Sequence, residues 1–359
     1  MGSKRRYRRA LSGAVALAVV AAGCSGDDEP SGESGEPASG SSGSESAPAA
    51  AAPSPSGGCD GPATGQVDGA ERTMEVRGVQ RQFLVSAPAW EKGDEPPPLV
   101  VDFHGLAEGS EVHAEMTQLG PLGVAEGFVT VFPHGTGDPV AWDATPDPEA
   151  NDDLAFVAAL LDRLERQRCV DTARVYATGL SNGAMMTSTV ACTMADRFAA
   201  VAPVAGILLP EPCAPARPVP VLTVHGTADP ILLFNGGLNT DALDAALGGG
   251  DESTTSTTAA ADLDGEGYPA TVSDWARLNG CEDAWQDERV SDEVIRRTFD
   301  CPDDALVEFL IVEGGGHSWP SSEFSRQIEE FVGPTTFDID GSREVWDFVS
   351  QFRLPDPSG

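Results

Sequence analysis

The sequence predicts an α/β fold in which a mostly parallel central sheet carries helices on both faces. Two observations predict it. Short apolar runs such as Leu99–Phe103 and Val129–Phe132 stop at His-Gly or Pro-His-Gly, as strands buried on both faces do. Stretches with apolar residues at helical spacing lie between such runs, and the two patterns alternate along most of the 359 residues. With 40% apolar residues, the chain can bury a sizeable core.

Taken in order, Met74 to Val76 and Gln82 to Ser86 read as an opening hairpin around Gly78. Leu99 to Phe103 forms a strand ending at His104-Gly105, and Val129 to Phe132 forms another ending at Pro133-His134-Gly135. From Asp152 to Arg168, Leu154, Val157, Ala158, Leu161 and Leu164 recur at helical spacing behind Asn151, a good N-cap. Strands at Val175 to Thr178, Ala199 to Val204, Val219 to Val224 and Leu306 to Val312 follow. They alternate with helices at Asn182 to Cys192, Val272 to Leu278 and Arg343 to Phe352. In sheets of this kind, sites collect at the carboxyl ends of the strands.

The N-terminal segment has a different character. A basic stretch from Lys4 to Arg9, an apolar run from Ala10 to Ala22 and then Gly23-Cys24 are the ordered parts of an export signal over residues 1–23. The run is too short to span a bilayer stably. Ala21-Ala22-Gly23 before Cys24 resembles the lipobox of bacterial lipoproteins, which implies a lipid on Cys24 and a mature chain that begins there. Ser25 to Gly58 holds no aromatic or large aliphatic residue, so residues 24–58 read as a disordered tether. That tether leaves a globular domain at 59–359, on the outer face of the cell membrane through its lipid anchor or released as a secreted protein. A low-complexity stretch, Gly248 to Gly267, reads as an insertion within this domain.

Asp and Glu number 57 against 22 Lys and Arg, a net charge of −35 that becomes more negative once the leader is removed. Such a surface repels phosphate backbones and anionic lipid, which excludes nucleic acid as a partner and favours a neutral substrate. Apart from Cys24, the cysteines are Cys59, Cys169, Cys192, Cys213, Cys281 and Cys301, an even set that implies disulfides in an oxidising compartment. Short-range closure of Cys192 with Cys213 and of Cys281 with Cys301 is the simplest pairing, and it leaves Cys59 with Cys169. No Cys-x-x-Cys or Cys/His cluster appears, so neither a metal nor a cofactor is expected.

The chemistry-bearing residues sit just past predicted strands. Gly179-Leu180-Ser181-Asn182-Gly183 falls between a strand and a helix, the setting in which Gly-x-Ser-x-Gly makes a tight turn that lifts a serine clear of the sheet. A nucleophilic serine needs a base, and the base needs a carboxylate. Glu313 to Gly316 is a glycine-rich loop presenting His317, and His225-Gly226-Thr227-Ala228-Asp229 presents Asp229. The order Ser, Asp, His is the one α/β-hydrolases use. His104, His134 and His225 each precede Gly at a strand end and suit turns, while His113 lies in a helix. Asp262 and Asp264 fall in the low-complexity loop, too loose to hold an imidazole. A tetrahedral oxyanion would find backbone donors at Asn182 and, in the loop after His104-Gly105, at Leu106. Trp142 and Trp319 are expected to line a pocket for an acyl chain or ring.

Five blocks, in order, carry a family resemblance. They are Val101 to Gly105, Asn151 to Val157, Arg174 to Met185, Val224 to Pro230 and Gly315 to Pro320. Together they resemble the polyhydroxybutyrate depolymerase and feruloyl esterase group of extracellular α/β-hydrolases, across about Cys59 to Leu354. The resemblance implies a secreted carboxylic ester hydrolase with Ser181, Asp229 and His317 as its triad. Members often carry Cys where this chain has Leu106, which keeps the backbone donor and removes a sulfur contact. The alternatives are a prolyl-type serine peptidase and a non-catalytic binding lipoprotein on the same fold.

Overall fold

A hairpin opens the fold in the computed structural model, which describes residues 52–248 and 260–355. Its strands β1 (Val67–Val76) and β2 (Val79–Ala87) pair antiparallel around Arg77-Gly78, both at positive φ (50° and 81°). That is the primed turn whose twist matches paired strands. Next come β3 (Leu99–Phe103), α1 (Gly109–Thr117), α2 (Leu119–Glu126) and β4 (Val129–Pro133). Then α3 (Asp152–Gln167), β5 (Val175–Leu180), α4 (Asn182–Thr193), β6 (Ala200–Val204) and β7 (Val221–Gly226) alternate. The chain continues through α5 (Thr240–Ala246), α6 (Tyr268–Leu278), β8 (Trp285–Arg289), β9 (Val294–Phe299) and β10 (Val307–Val312). Two short helices, α7 (Glu323–Gln327) and α8 (Glu329–Val332), lead to α9 (Gly341–Val349).

The strands form one sheet of ten in the order β1-β2-β4-β3-β5-β6-β7-β10-β9-β8. From β4 to β10 neighbours run parallel, and the flanks β1-β2-β4 and β10-β9-β8 are antiparallel. Alternate residues of each strand face opposite sides. Leu99, Val101 and Phe103 join a core with Leu160 of α3, Val190 of α4 and Trp275 of α6. Val100 and Tyr176 join the opposite core with Leu119 of α2 and Phe348 of α9. Helices therefore cover both faces, as the alternation predicts.

Local chemistry sets the boundaries. Asn151 caps α3 by accepting the Asp153 and Leu154 N–H groups (2.8 and 3.0 Å). Cys59 joins Cys169, Cys192 joins Cys213, and Cys281 joins Cys301.

Three expectations need adjusting. The fold begins before Cys59: Ser54 N–H donates to Asp171 (2.9 Å), the Ser56 hydroxyl donates to the Arg168 carbonyl (2.9 Å), and Gly58 is buried. The last residues of the expected tether therefore pack on the domain. Between Cys281 and Cys301 the polar segment is the β8–β9 hairpin, in which every residue of β8 is exposed. Within the Gly248–Gly267 insertion, residues 249–259 lie outside the described residues, but Asp262 exchanges hydrogen bonds with Asn235 (2.7 and 2.8 Å) and Asp264 pairs with Arg297 (2.8 Å). The end of the insertion is thus tied down. The signal segment, Cys24 and the tether up to residue 51 also lie outside the described residues.

Candidate active site

Ser181 sits at the end of β5 with φ 58° and ψ −118°, a strained conformation for a non-glycine residue. The flanking glycines are a steric necessity. A Cβ at Gly179 would come within 2.5 Å of the Phe103 carbonyl oxygen, and one at Gly183 would collide with the same group. The Ser181 N–H donates to Val204 of the neighbouring strand (2.9 Å), and its carbonyl accepts from Met185 to start α4 (3.0 Å). The turn is thereby pinned on both sides, with the hydroxyl at the carboxyl edge of the sheet.

Asp229 and His317, the expected acid and base, lie in the loops after β7 and β10. Asp229 Oδ1 accepts the Ile231 and Leu232 N–H groups (both 2.8 Å), an Asx-type closure of its own loop. Asp229 Oδ2 lies 2.8 Å from Nδ1 of His317 and 3.3 Å from Nε2 of His225. His225 also reaches the Leu232 carbonyl (2.9 Å), so it braces the Asp229 loop. The His317 N–H donates to the Val332 carbonyl (2.6 Å). Ile231, Leu232 and Val332 form a small apolar cluster against which Met185 packs, one turn beyond Ser181. The Ser181 helix, the Asp229 loop and α8 are thus packed together, and the His317 loop is tied to α8 by that hydrogen bond. Ser181 Oγ itself has no hydrogen-bond partner among the described residues.

Burial disfavours a charged Asp229, but His317 and His225 outweigh it and hold the carboxyl well below the usual carboxylate range. For His317, burial opposes the imidazolium, while Asp229, with a smaller part from Glu108, outweighs burial and raises its pKa above the ordinary value. An imidazole with Nδ1–H on a carboxylate keeps Nε2 free to accept a proton.

The loop after β3 faces the start of α4. Asn182 Oδ1 accepts the Trp142 N–H (2.7 Å) and Asn182 Nδ2 donates to the Trp142 carbonyl (3.1 Å), while the Trp142 indole N–H donates to the His104 carbonyl (2.9 Å). The loop bearing Leu106 is therefore linked to the residue after Ser181. His104 and His134 shape turns, as expected: His104 Nε2 accepts the Gly135 N–H (2.9 Å), and burial lowers its pKa to about 4. His134 Nδ1 accepts the Ser110 N–H (3.2 Å).

Both tryptophans are buried, and only Trp319 borders a groove among the described residues. Trp142 is 4% exposed, edge-on to Phe103 and against His104; Trp319 is 1% exposed, with its indole N–H on Ser342 (3.1 Å). A groove of about 460 Å³ borders Trp319, Met116 and Phe324 but includes none of Ser181, Asp229 and His317. Sequence reasoning also missed Glu108 and the bracing role of His225. The available signal was the close spacing of His225 with Asp229 and of Glu108 with His113. Among the described residues no cluster of His, Cys, Asp and Glu is arranged to hold a metal ion.

Comparison with known proteins bears on the family and the fold. The family model for esterase PHB depolymerase matches residues 87–296, a span that contains Leu106, Trp142, Ser181 and Asp229 and stops before His317. NocK of Nocardia uniformis subsp. tsuyamanensis, which carries the name of an esterase, is 31% identical over 77% of this chain and 81% of its own length. Feruloyl esterase B of Piromyces equi is 26% identical over 77% of this chain, which spans only 46% of that relative. Among solved structures, an acetyl xylan esterase from Aspergillus awamori superposes with a TM-score of 0.50 at 15% identity, over 73% of this chain and 99% of that one, a likeness of fold. By the extent of these matches and by its sheet order, the chain belongs to the esterase PHB depolymerase family of α/β-hydrolases.

Proposed function

We propose that the protein is a serine esterase that cleaves neutral carboxylic esters through an acyl-enzyme, with Ser181 as nucleophile, His317 as base and Asp229 as its orienting carboxylate. The observation that carries the reading is the His317–Asp229 pair at 2.8 Å, with Ile231 and Leu232 of the Asp229 loop packed against Met185 of the helix that Ser181 starts. Ser181 Oγ attacks the carbonyl carbon as its proton passes to His317 Nε2, and the developing imidazolium stays on Asp229. The Leu106 and Asn182 N–H groups, which have no hydrogen-bond partner among the described residues, would receive the oxyanion. Collapse expels the alcohol, protonated by His317, and a water repeats the sequence on the acyl-serine.

Hydroxyalkanoate oligomers and feruloyl or short-chain esters are the proposed substrates. They are neutral, which suits a chain of net charge −35, and their leaving groups are better than an amine. Three disulfides support an oxidising, exported location, and residues 1–24 support a lipid anchor at Cys24 on the outer face of the membrane. One panel tests the reading: a short aryl ester, methyl ferulate, a hydroxybutyrate oligomer and a prolyl anilide. The esters are expected to be cleaved and the anilide left intact. Fastest cleavage of the anilide would make the protein a peptidase, and no cleavage at all would support a binding role.

A further inference from the structure

The turn after β3 is closed twice by one residue. Glu108 donates its backbone N–H to the Gly105 carbonyl (3.3 Å), and its Oε2 accepts the Gly105 N–H (2.7 Å). Gly105 permits this, because a Cβ there would lie 2.8 Å from Glu108 Oε1. The Ala107 N–H, at φ 65°, donates to the Val140 carbonyl (2.8 Å). Of the consecutive N–H groups from 105 to 108, Leu106 alone is left without a partner among the described residues.

Glu108 is itself held. Its Oε2 also lies 3.1 Å from Nδ1 of His113, and His113 Nε2 lies 2.8 Å from Oδ1 of Asp102, whose Oδ2 accepts the Thr117 hydroxyl (2.8 Å). His113 and Asp102 are fully buried. A ring with a carboxylate on each nitrogen is satisfied only as the two-donor imidazolium.

We propose that Glu108 is a positioning residue for ester hydrolysis: anchored by His113, it clamps the Gly105 peptide so that the Leu106 N–H faces the reacting carbonyl. Burial opposes the His113 charge, but Asp102 and Glu108 outweigh it and raise its pKa to about 10, so the anchor is cationic at neutral pH. Without the clamp, the Gly105 N–H is released and the glycine regains its backbone freedom. The donor would then be mis-aimed at the oxyanion, a loss felt in the transition state rather than in substrate binding.

The proposal rests on the esterase reading and is tested separately from it, in a full-length protein that hydrolyses an aryl ester and loses that activity on Ser181→Ala. Glu108→Ala is expected to lower kcat by roughly 10- to 100-fold with KM little changed, approaching the effect of deleting an oxyanion donor. Glu108→Gln retains an amide oxygen that can accept both N–H groups, and is expected to recover most of the lost kcat. Glu108→Asp keeps the charge but is too short to reach Gly105, so it should fall with Ala; it also supplies the readout if the alanine variant does not fold. Unchanged kcat in folded Ala and Asp variants, or a loss confined to KM, overturns the proposal. So does a Gln variant as impaired as Ala. Inactivity of the wild type on every ester would instead defeat the esterase reading.

Discussion

Asp229 accepts from Ile231, Leu232 and His317 and lies 3.3 Å from His225 Nε2, so its position is fixed from several directions. On the proposed mechanism, Asp229→Asn should keep the loop and lose the imidazole tautomer, lowering kcat by about 10⁴. Stopped assays at saturating ester would check it. Because Asp229 raises the pKa of His317, the group stays protonated to a higher pH than a free imidazole. Activity should therefore rise with pH through a midpoint above about 6.5 and fall away in acid, where His317 cannot accept the serine proton. A kcat/KM profile flat through this range would remove His317 from the base role. The placement of Ser181, Asp229 and His317 at strand ends was legible in the sequence because each follows a glycine turn just past an apolar run. Trp142 and Trp319 were not, since the sequence does not say whether a tryptophan faces a cleft or the hydrogen bonds of a core. Here Trp142 bridges His104 and Asn182, and Trp319 rests on Ser342.

At the level of elements, the central strands were readable because burial on both faces leaves uninterrupted apolar runs. The β8–β9 hairpin was not, because β8 is Trp-Gln-Asp-Glu-Arg, an edge strand with no buried face and therefore no alternation. The edge is held by Arg297, which pairs with Asp287 and lies 4.6 Å over the Trp285 ring, and by the Cys281–Cys301 bridge at its base. Replacing both cysteines by serine opens a loop with sequence separation 20 and should cost about 2 to 4 kcal/mol of stability, readable in denaturant unfolding. Helix α3 depends on its cap in the same way. Asn151 accepts the first-turn N–H groups and donates to the Asp143 and Thr145 carbonyls (2.7 and 2.8 Å). Asn151→Ala should cost about 0.5 to 2 kcal/mol, with unfolding midpoints as the check.

Across the whole molecule, a net charge of −35 sets like charges against one another over the surface. Added salt should screen that repulsion and raise the melting temperature at low ionic strength, and a melting temperature that falls on adding salt would contradict it. The acidic shell also fits the proposed neutral ester better than an anionic substrate. Chain order, sheet order and packing bring together residues that lie far apart in sequence: β5, β7 and β10 deliver Ser181, Asp229 and His317 to one edge of the sheet. That convergence is chemical if Ser181 is more reactive than any other hydroxyl in the protein. A fluorophosphonate reagent reads this out, since attack by an activated serine forms an Oγ–P bond and releases fluoride. Peptide mass mapping of the treated wild type should find one phosphonyl group, on the peptide containing Ser181, and His317→Ala should abolish it. Labelling elsewhere, or none in folded wild-type protein, would contradict the assignment of Ser181 as the nucleophile.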